Sequence, residues 1–252
     1  MSRAPLSILV TALEMGHSVF MTDASAPRNA RARVRAELTS EILAVARRHL
    51  AEGGAVNLSL RAVARDLGMV SSALYRYFPS RDDLLTALIV DAYGAVADVG
   101  EAADRACKRT DLLGRWLAVC KAVRTWALAN PHEYALIFGT PVPGYVAPEV
   151  TIEPVVRFST VLLGILAEAH AVGRLAESAT PVSKSVVRSI GPLRAQVPAE
   201  VPDVAVLNGV IGWTHLFGAI SSELFGHRHN VVDNNDVFFD YEMRQLAALI
   251  LR

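Results

Sequence analysis

The chain is poor in the residues that most catalytic and metal sites require. It has two cysteines in 252 residues, Cys107 and Cys120, too few for a disulfide framework or a four-ligand metal centre. Both read as small core residues of a protein kept in a reducing, cytoplasmic compartment. His227, His229 and Asp233 follow one another in a loop without cysteine or a helical histidine pair, so no metal site is expected. No Ser–His–Asp order, phosphate loop or paired-carboxylate spacing appears, which argues against an enzyme and gives no reason to expect a cofactor. Alternating strand patterns are also missing: β-branched runs fall at helical spacing, so the fold class is all-α. One long uncharged apolar run, Val204 to Ser222, reaches bilayer length, but Asn208, Thr214, His215 and several glycines favour a core or interface helix. No membrane partner is expected.

Residues 1–27 show no clear periodicity and read as a tail or extension. Residues 4–20 are apolar but broken by Glu14 and Gly16, and the single Arg3 is a poor start for an export signal. Met21 is an alternative start, which would leave the first 20 residues outside the native protein.

Charge is balanced overall, 25 basic against 25 acidic side chains, yet unevenly placed. Residues 28–81 carry ten arginines and four acids, whereas residues 82–252 are net acidic. A basic amino-terminal module on an acidic body is the footprint of a protein that presents one end to phosphates. Within that module Ser59 is positioned to cap a helix holding Leu60, Val63, Ala64 and Leu67. Gly68 supplies the turn, and Ser71 or Ser72 caps a second helix running through Leu74 to Phe78. Pro79 stops it, and Ser80, Asp82 and Asp83 open the next helix. This is a helix-turn-helix.

The runs Ser59-Leu-Arg-Ala-Val-Ala64, Leu67-Gly-Met-Val70, Leu74-Tyr-Arg-Tyr-Phe78 and Pro79-Ser-Arg-Asp-Asp-Leu84 resemble the TetR family of bacterial transcription regulators. Val70 stands where that family usually has a capping serine, and Ala73 where it often has threonine. The resemblance implies a helix-turn-helix domain over 28–80 and a helical-bundle domain over 81–252 that binds a small-molecule effector and dimerises. It implies a regulator, most often a repressor, that binds a palindromic double-stranded operator as a homodimer. A helical carrier or enzyme with a vestigial helix-turn-helix is the alternative. Trp213-Thr-His215-Leu-Phe-Gly218 further resembles the Trp-His-Gly signature of one subclass of the family's carboxy-terminal domains.

In such a motif the second helix reads the major groove. Ser71, Ser72, Ala73 and Arg76 are the expected base readers, arginine being the usual bidentate partner of guanine. Ser59, Arg61, Tyr75, Tyr77 and Arg81 are expected along the phosphates. Arg31, Arg33 and Arg35 open a first helix expected over 31–52, with Val34, Leu38, Ile42, Val45 and Leu50 on its apolar face. Cations there oppose the helix dipole, so they read as an arm for phosphates.

The body reads as helices over about 81–105, 111–129, a short piece to Phe138, a nearly all-round apolar and therefore central helix over 149–176, and two closing helices over 203–225 and 236–251. Trp116, Trp126, Tyr134, Phe138, His170 and His215 are the candidate pocket residues. Val210, Trp213, Phe217, Ile220, Leu224, Phe238 and Leu246 are the candidate dimer contacts, building a four-helix interface between two copies.

Overall fold

A computed structural model describes residues 26–177, 181–195 and 197–252, with side chains of the first helix from residue 30 onward. The expectations for residues 1–25 lie outside these residues. Among the described residues there is no β-strand, only an isolated bridge between Leu175 and Leu251. The contacts divide the chain into two compact units, one up to Thr39 and one from Ser40 to Arg252. The division falls within the first helix.

Helix α1 spans Ala26–Gly53, five residues longer at its start than expected. In the first unit Arg31, Arg33, Val34 and Arg35 are exposed, so Val34 does not belong to the apolar face. Arg31 lies beyond the first turn, so the helix dipole no longer bears on these arginines. In the second unit α1 buries Ile42, Val45, Ala46 and Leu50. Gly54, at φ 70°, turns the chain into a 3₁₀ segment, Ala55–Asn57.

Helix α2 (Leu60–Asp66) is capped by the Ser59 hydroxyl, which accepts from the Ala62 amide. Gly68, at φ 66°, makes the turn in a region that side chains rarely enter. Helix α3 is only Ser71–Leu74, and its cap position is Val70, with no side-chain hydrogen bond. Neither Ser71 nor Ser72 caps it; both already lie inside the helix. Past Leu74 the amides of Arg76 and Tyr77 bond three residues back, a 3₁₀ tightening that Pro79 then ends. Leu58, Leu60, Val63, Leu74, Phe78 and Leu84 are buried together in this part of the chain.

Helix α4 (Arg81–Ala106) starts at Ser80, whose hydroxyl accepts from the Asp83 amide, with Asp82 and Asp83 in the first turn. It packs chiefly on α5 (Leu112–Ala129) and α7 (Ile152–Ala171), with α6 (Pro131–Phe138) alongside. Gly100 permits the close approach of α4 and α7: a Cβ there would stand 3.1 Å from the Phe158 ring. The centre of the body is α5, which buries Trp116, Val119, Cys120, Val123, Trp126 and Ala127. Helix α7 is not the central helix its composition suggested. It buries Phe158, Ile165, Leu166 and Ala169 and leaves Ile152 and Val156 exposed. Two short pieces, α8 (Lys184–Ser189) and α9 (Gly191–Arg194), lead to α10 (Asp203–Leu224) and α11 (Asn235–Ile250), which pack on each other and on α5.

Ion pairs tie these helices together. Arg124 on α5 grips Glu223 with two bonds, 2.7 and 2.6 Å, and reaches Asp236 at 2.7 Å. Buried Arg115 bonds Asp104 at 2.7 Å and Glu168 at 2.6 Å, linking α4, α5 and α7. Burial raises Asp104 and Glu168, and the hydrogen bonds from Arg115 and Arg109 outweigh it, holding both carboxyls below their ordinary range. On the other side of α4, Arg47 pairs with Asp91 and with Glu133 on α6.

Candidate nucleic-acid interface and apolar cavities

The helix-turn-helix presents a short exposed surface. Arg61, Val70, Ser72, Tyr75 and Arg76 are exposed, Ser71, Ala73 and Tyr77 are half-buried, and Leu74 and Phe78 face the core. The first turn of α3 therefore carries small hydroxyl side chains beside Arg76, and the aromatic Tyr75 follows at its end. Small groups at the start of such a helix let the backbone come close to base edges, while arginine supplies the directional donor. Ser59 is committed to capping α2, so its structural role precedes any phosphate contact.

Arg81, expected along the phosphates, is engaged within the chain. Its guanidinium bonds the backbone carbonyls of Ala55 at 2.6 Å, Leu58 at 3.2 Å and Val56 at 3.3 Å, with Asp82 at 3.4 Å. Those carbonyls belong to the bend between α1 and α2. Arg81 is thus the clamp that fastens the start of α4 to the helix-turn-helix, and sequence gave no sign of it because carbonyl partners leave no side-chain pattern.

Among the described residues the body has two enclosed, almost wholly apolar cavities, besides wider and more open clefts of about 680 Å³ beside α10 and α11 and about 820 Å³ beside α6. The larger enclosed cavity, about 210 Å³, lies among α5, α7, α10 and α11, with Trp116, Leu162, Leu166, Val210, Trp213 and Ile250 in its wall. The smaller, about 190 Å³, is bounded by Tyr93 and Val96 of α4, Ile137 and Phe138 of α6, Val155 and Phe158 of α7, and Trp213 again. Of the six pocket residues expected from sequence, Trp116 lines the first and Phe138 the second. Trp126 is buried in the core and lines neither. Tyr134 is fully buried, its hydroxyl donating to the Phe217 carbonyl and meeting Ser221, both at 2.8 Å; burial pushes its pKa up to about 12, against the Ser221 bond. His170 is half-buried near the end of α7 and lines neither cavity. His215 lies on the outer surface, 3.3 Å from Glu242. The leucines of α7 were hidden from sequence reasoning because a cavity wall and a packed core use the same residue types.

The expected dimer contacts separate in the same way. Phe217, Ile220 and Leu246 are buried in the chain's own core, and Val210 and Trp213 line the larger cavity. Leu224 is half-buried, packed against the core. Only Phe238 is exposed. The outward stripe of α10 is instead Ile211, Thr214, His215 and Gly218, and α11 adds Phe238, Tyr241, Gln245 and Leu249. Both stripes follow the three- and four-residue spacing of one helix face. The larger apolar residues of α10 are turned into the chain's own core, leaving smaller ones on its outward face.

Comparison with known proteins agrees with this architecture. The description "Bacterial regulatory proteins, tetR family" matches residues 42–88, and "Tetracyclin repressor-like, C-terminal domain" matches residues 116–246. The chain is 38% identical over 227 residues to the HTH-type transcriptional regulator Rv1816 of Mycobacterium tuberculosis, covering 86% of this chain and 93% of that protein. Among solved structures it is similar to the putative regulatory protein SCO4313, with 34% identity, a TM-score of 0.71, and coverage of 85% of this chain and 97% of the other. A putative TetR-family regulator from Shewanella sp. PV-4 shares the fold at 20% identity and a TM-score of 0.58, over 85% and 98% of the two chains. With a helix-turn-helix at its amino end and a helical body behind it, the chain belongs to the TetR family and is a helix-turn-helix transcriptional regulator.

Proposed function

We propose that this regulator is an effector-responsive repressor that binds a palindromic operator as a homodimer. The observation that carries the reading is the α4 helix, which Arg81 fastens to the helix-turn-helix and which supplies Tyr93 and Val96 to the wall of an apolar cavity. One rigid element thus touches both the DNA-reading part and a site able to hold a small molecule. Ligand can shift such a system only through different affinity for two arrangements of that element.

The homodimer is supported by the outward stripes of α10 and α11. They carry Ile211, Phe238, Tyr241 and Leu249 in the open, beside the small Gly218, and a palindromic operator requires two reading heads held about 34–36 Å apart per helical turn. Base reading is assigned to Ser71, Ser72, Ala73 and Arg76, and backbone contacts to Arg61, Tyr75, Tyr77 and the arginines at 31, 33 and 35.

Selection of bound sequences from a random duplex pool tests the reading. An inverted repeat bound by two chains supports it. A single unrepeated half-site, bound by one chain, overturns the dimeric palindrome.

A further inference from the structure

Neither cavity on its own reaches the roughly 300–1,000 Å³ usual for small-molecule sites. An apolar protein cavity of about 150 Å³ holds one benzene ring, so each chamber here admits little more. Together the two reach the usual range. They lie along the same α7–α10 groove, Val155 and Phe158 lining one and Ser159 and Leu162 the other. Trp213 is the residue common to both linings. It is half-buried, its ring resting edge-on against Phe217 at 5.1 Å between centroids.

The chemistry of the walls is uniform. No charged side chain lines either chamber. The polar groups that do are already tied to backbone: Trp116 Nε1 donates to the Met243 carbonyl at 2.9 Å, Ser159 Oγ to Val155 at 3.2 Å, and Tyr93 OH to Ile137 at 3.2 Å. Among the described residues the Trp213 indole N–H has no hydrogen-bond partner. A carboxylate or phosphate placed here would lose its hydration and find no cation, with the single indole N–H of Trp213 in place of its water.

We propose that the two chambers form one divided site for an elongated, uncharged, apolar molecule, and that the Trp213 indole is the movable partition which such a ligand displaces to reach α4. The proposal rests on reading the body as an effector-binding domain. Binding is therefore measured without DNA, so that failure of the site and failure of the response are separately visible.

The probes are 1-hexanol, 1-dodecanol and dodecanoate, titrated into the full chain by calorimetry. Each further buried methylene strengthens binding about fourfold, so a continuous site favours dodecanol over hexanol by a hundredfold or more. Dodecanoate binds at least tenfold more weakly than dodecanol. Val155→Trp, which fills the smaller chamber from α7, abolishes the chain-length gain and leaves hexanol unchanged; Ile137→Trp fills it from α6 if the first variant does not fold. Trp213→Ala, or Trp213→Leu should alanine destabilise the body, binds dodecanol at least fivefold more tightly because no indole has to be displaced. A dodecanol affinity equal to that of hexanol overturns the continuous site. Equal binding of dodecanoate overturns the uncharged class, and a chain-length gain that survives both plugs overturns the second chamber. Unchanged dodecanol affinity in the Trp213 variants overturns the partition. Tight dodecanol binding that leaves operator affinity unaltered upholds the site and refutes the effector response.

Discussion

Removing the Arg81 guanidinium separates two ways in which an arginine can serve a DNA-binding protein. Arg81→Ala deletes bonds to three carbonyls of the α1–α2 bend, at 2.6, 3.2 and 3.3 Å. A hydrogen bond from a charged donor contributes about 1.5–3 kcal/mol, but the Arg81 side chain is 31% exposed and two of the three bonds are long, so about 2–3 kcal/mol for the set is the reasonable sum. In a unit of this size that lowers Tm by roughly 4–12 °C. DNA affinity falls as well, because α4 no longer fixes the reading helix, but the loss has a particular signature. A phosphate contact contributes about 0.9 to the slope of log K against log salt; a clamp contributes nothing. Filter binding of Arg81→Ala from 50 to 300 mM salt therefore gives a curve displaced to weaker binding with an unchanged slope, and Arg81→Lys, which restores the charge but not the three-pronged geometry, recovers little of it. A slope reduced by about one, with lysine restoring affinity, would falsify the clamp and return Arg81 to the phosphates.

Other outcomes follow from the packing. Tyr241→Asp and Ile211→Asp, both on the outward stripes, leave the thermal melt nearly unchanged and convert the chain to a monomer by light scattering, whereas Ile220→Asp, at a position with no exposure, costs several kcal/mol and yields unfolded protein. Arg124→Ala strands Glu223 in a pocket only 9% exposed and lowers stability by about 3–5 kcal/mol in urea unfolding; Arg124→Met with Glu223→Leu recovers most of the loss. Asp104 and Glu168 sit below their ordinary pKa range in the folded chain, so they contribute stability above about pH 4–4.5 that is lost as pH falls through their depressed values. Arg115→Met flattens that acid limb in pH-dependent unfolding, and an acid limb identical to wild type would refute the assignment.

The helix-turn-helix was legible because its information is local. Ser59, Gly68, Ser80 and Pro79 are caps and breakers whose effect depends on the adjacent backbone alone, and the structure finds three of them in the expected backbone roles. Burial of Leu74 and Phe78 follows from spacing for the same reason. The body was legible as helices but not as a site. Periodicity reports that a helix has an apolar side; it does not report whether that side meets a packed neighbour, an internal cavity or open water. Trp213, Phe217 and Ile211 lie within seven residues of one another on α10, yet one lines two cavities, one is core and one is exposed. That difference is set by α5, α7 and α11, which come from distant parts of the chain. Arg115 and Arg124 were equally opaque, since a buried arginine is recognisable only once Asp104, Glu168 and Glu223 have been brought against it.

These partners constrain how the proposed response could travel. Helix α4 is tied along its length: Arg81 at its start, Arg47 to Asp91 in its first half, Arg157 to Asp98 and Glu101 at 2.6 and 2.7 Å beyond the middle, and Arg115 to Asp104 near its end. Arg157 and Arg115 bind it to α7 and α5, so the distal half of α4 moves only with the body. The proximal half is held by fewer charged ties, and Tyr93 and Val96 of the smaller chamber stand at the junction between the two halves. A ligand confined to the larger chamber presses on α5, α7, α10 and α11, which are locked to one another by Arg115 and Arg124, and has little differential grip on α4. A ligand that passes Trp213 presses on α4 where its fastening to the body gives way to its fastening to the helix-turn-helix. On the proposed reading, chain length is therefore the variable that separates a molecule that binds from one that releases DNA. Paired calorimetry and operator titrations across a homologous alcohol series would show release beginning only at the lengths that enter the second chamber. Release by hexanol at saturation, with no added effect of longer chains, would place the lever on α5 or α7 and not on α4.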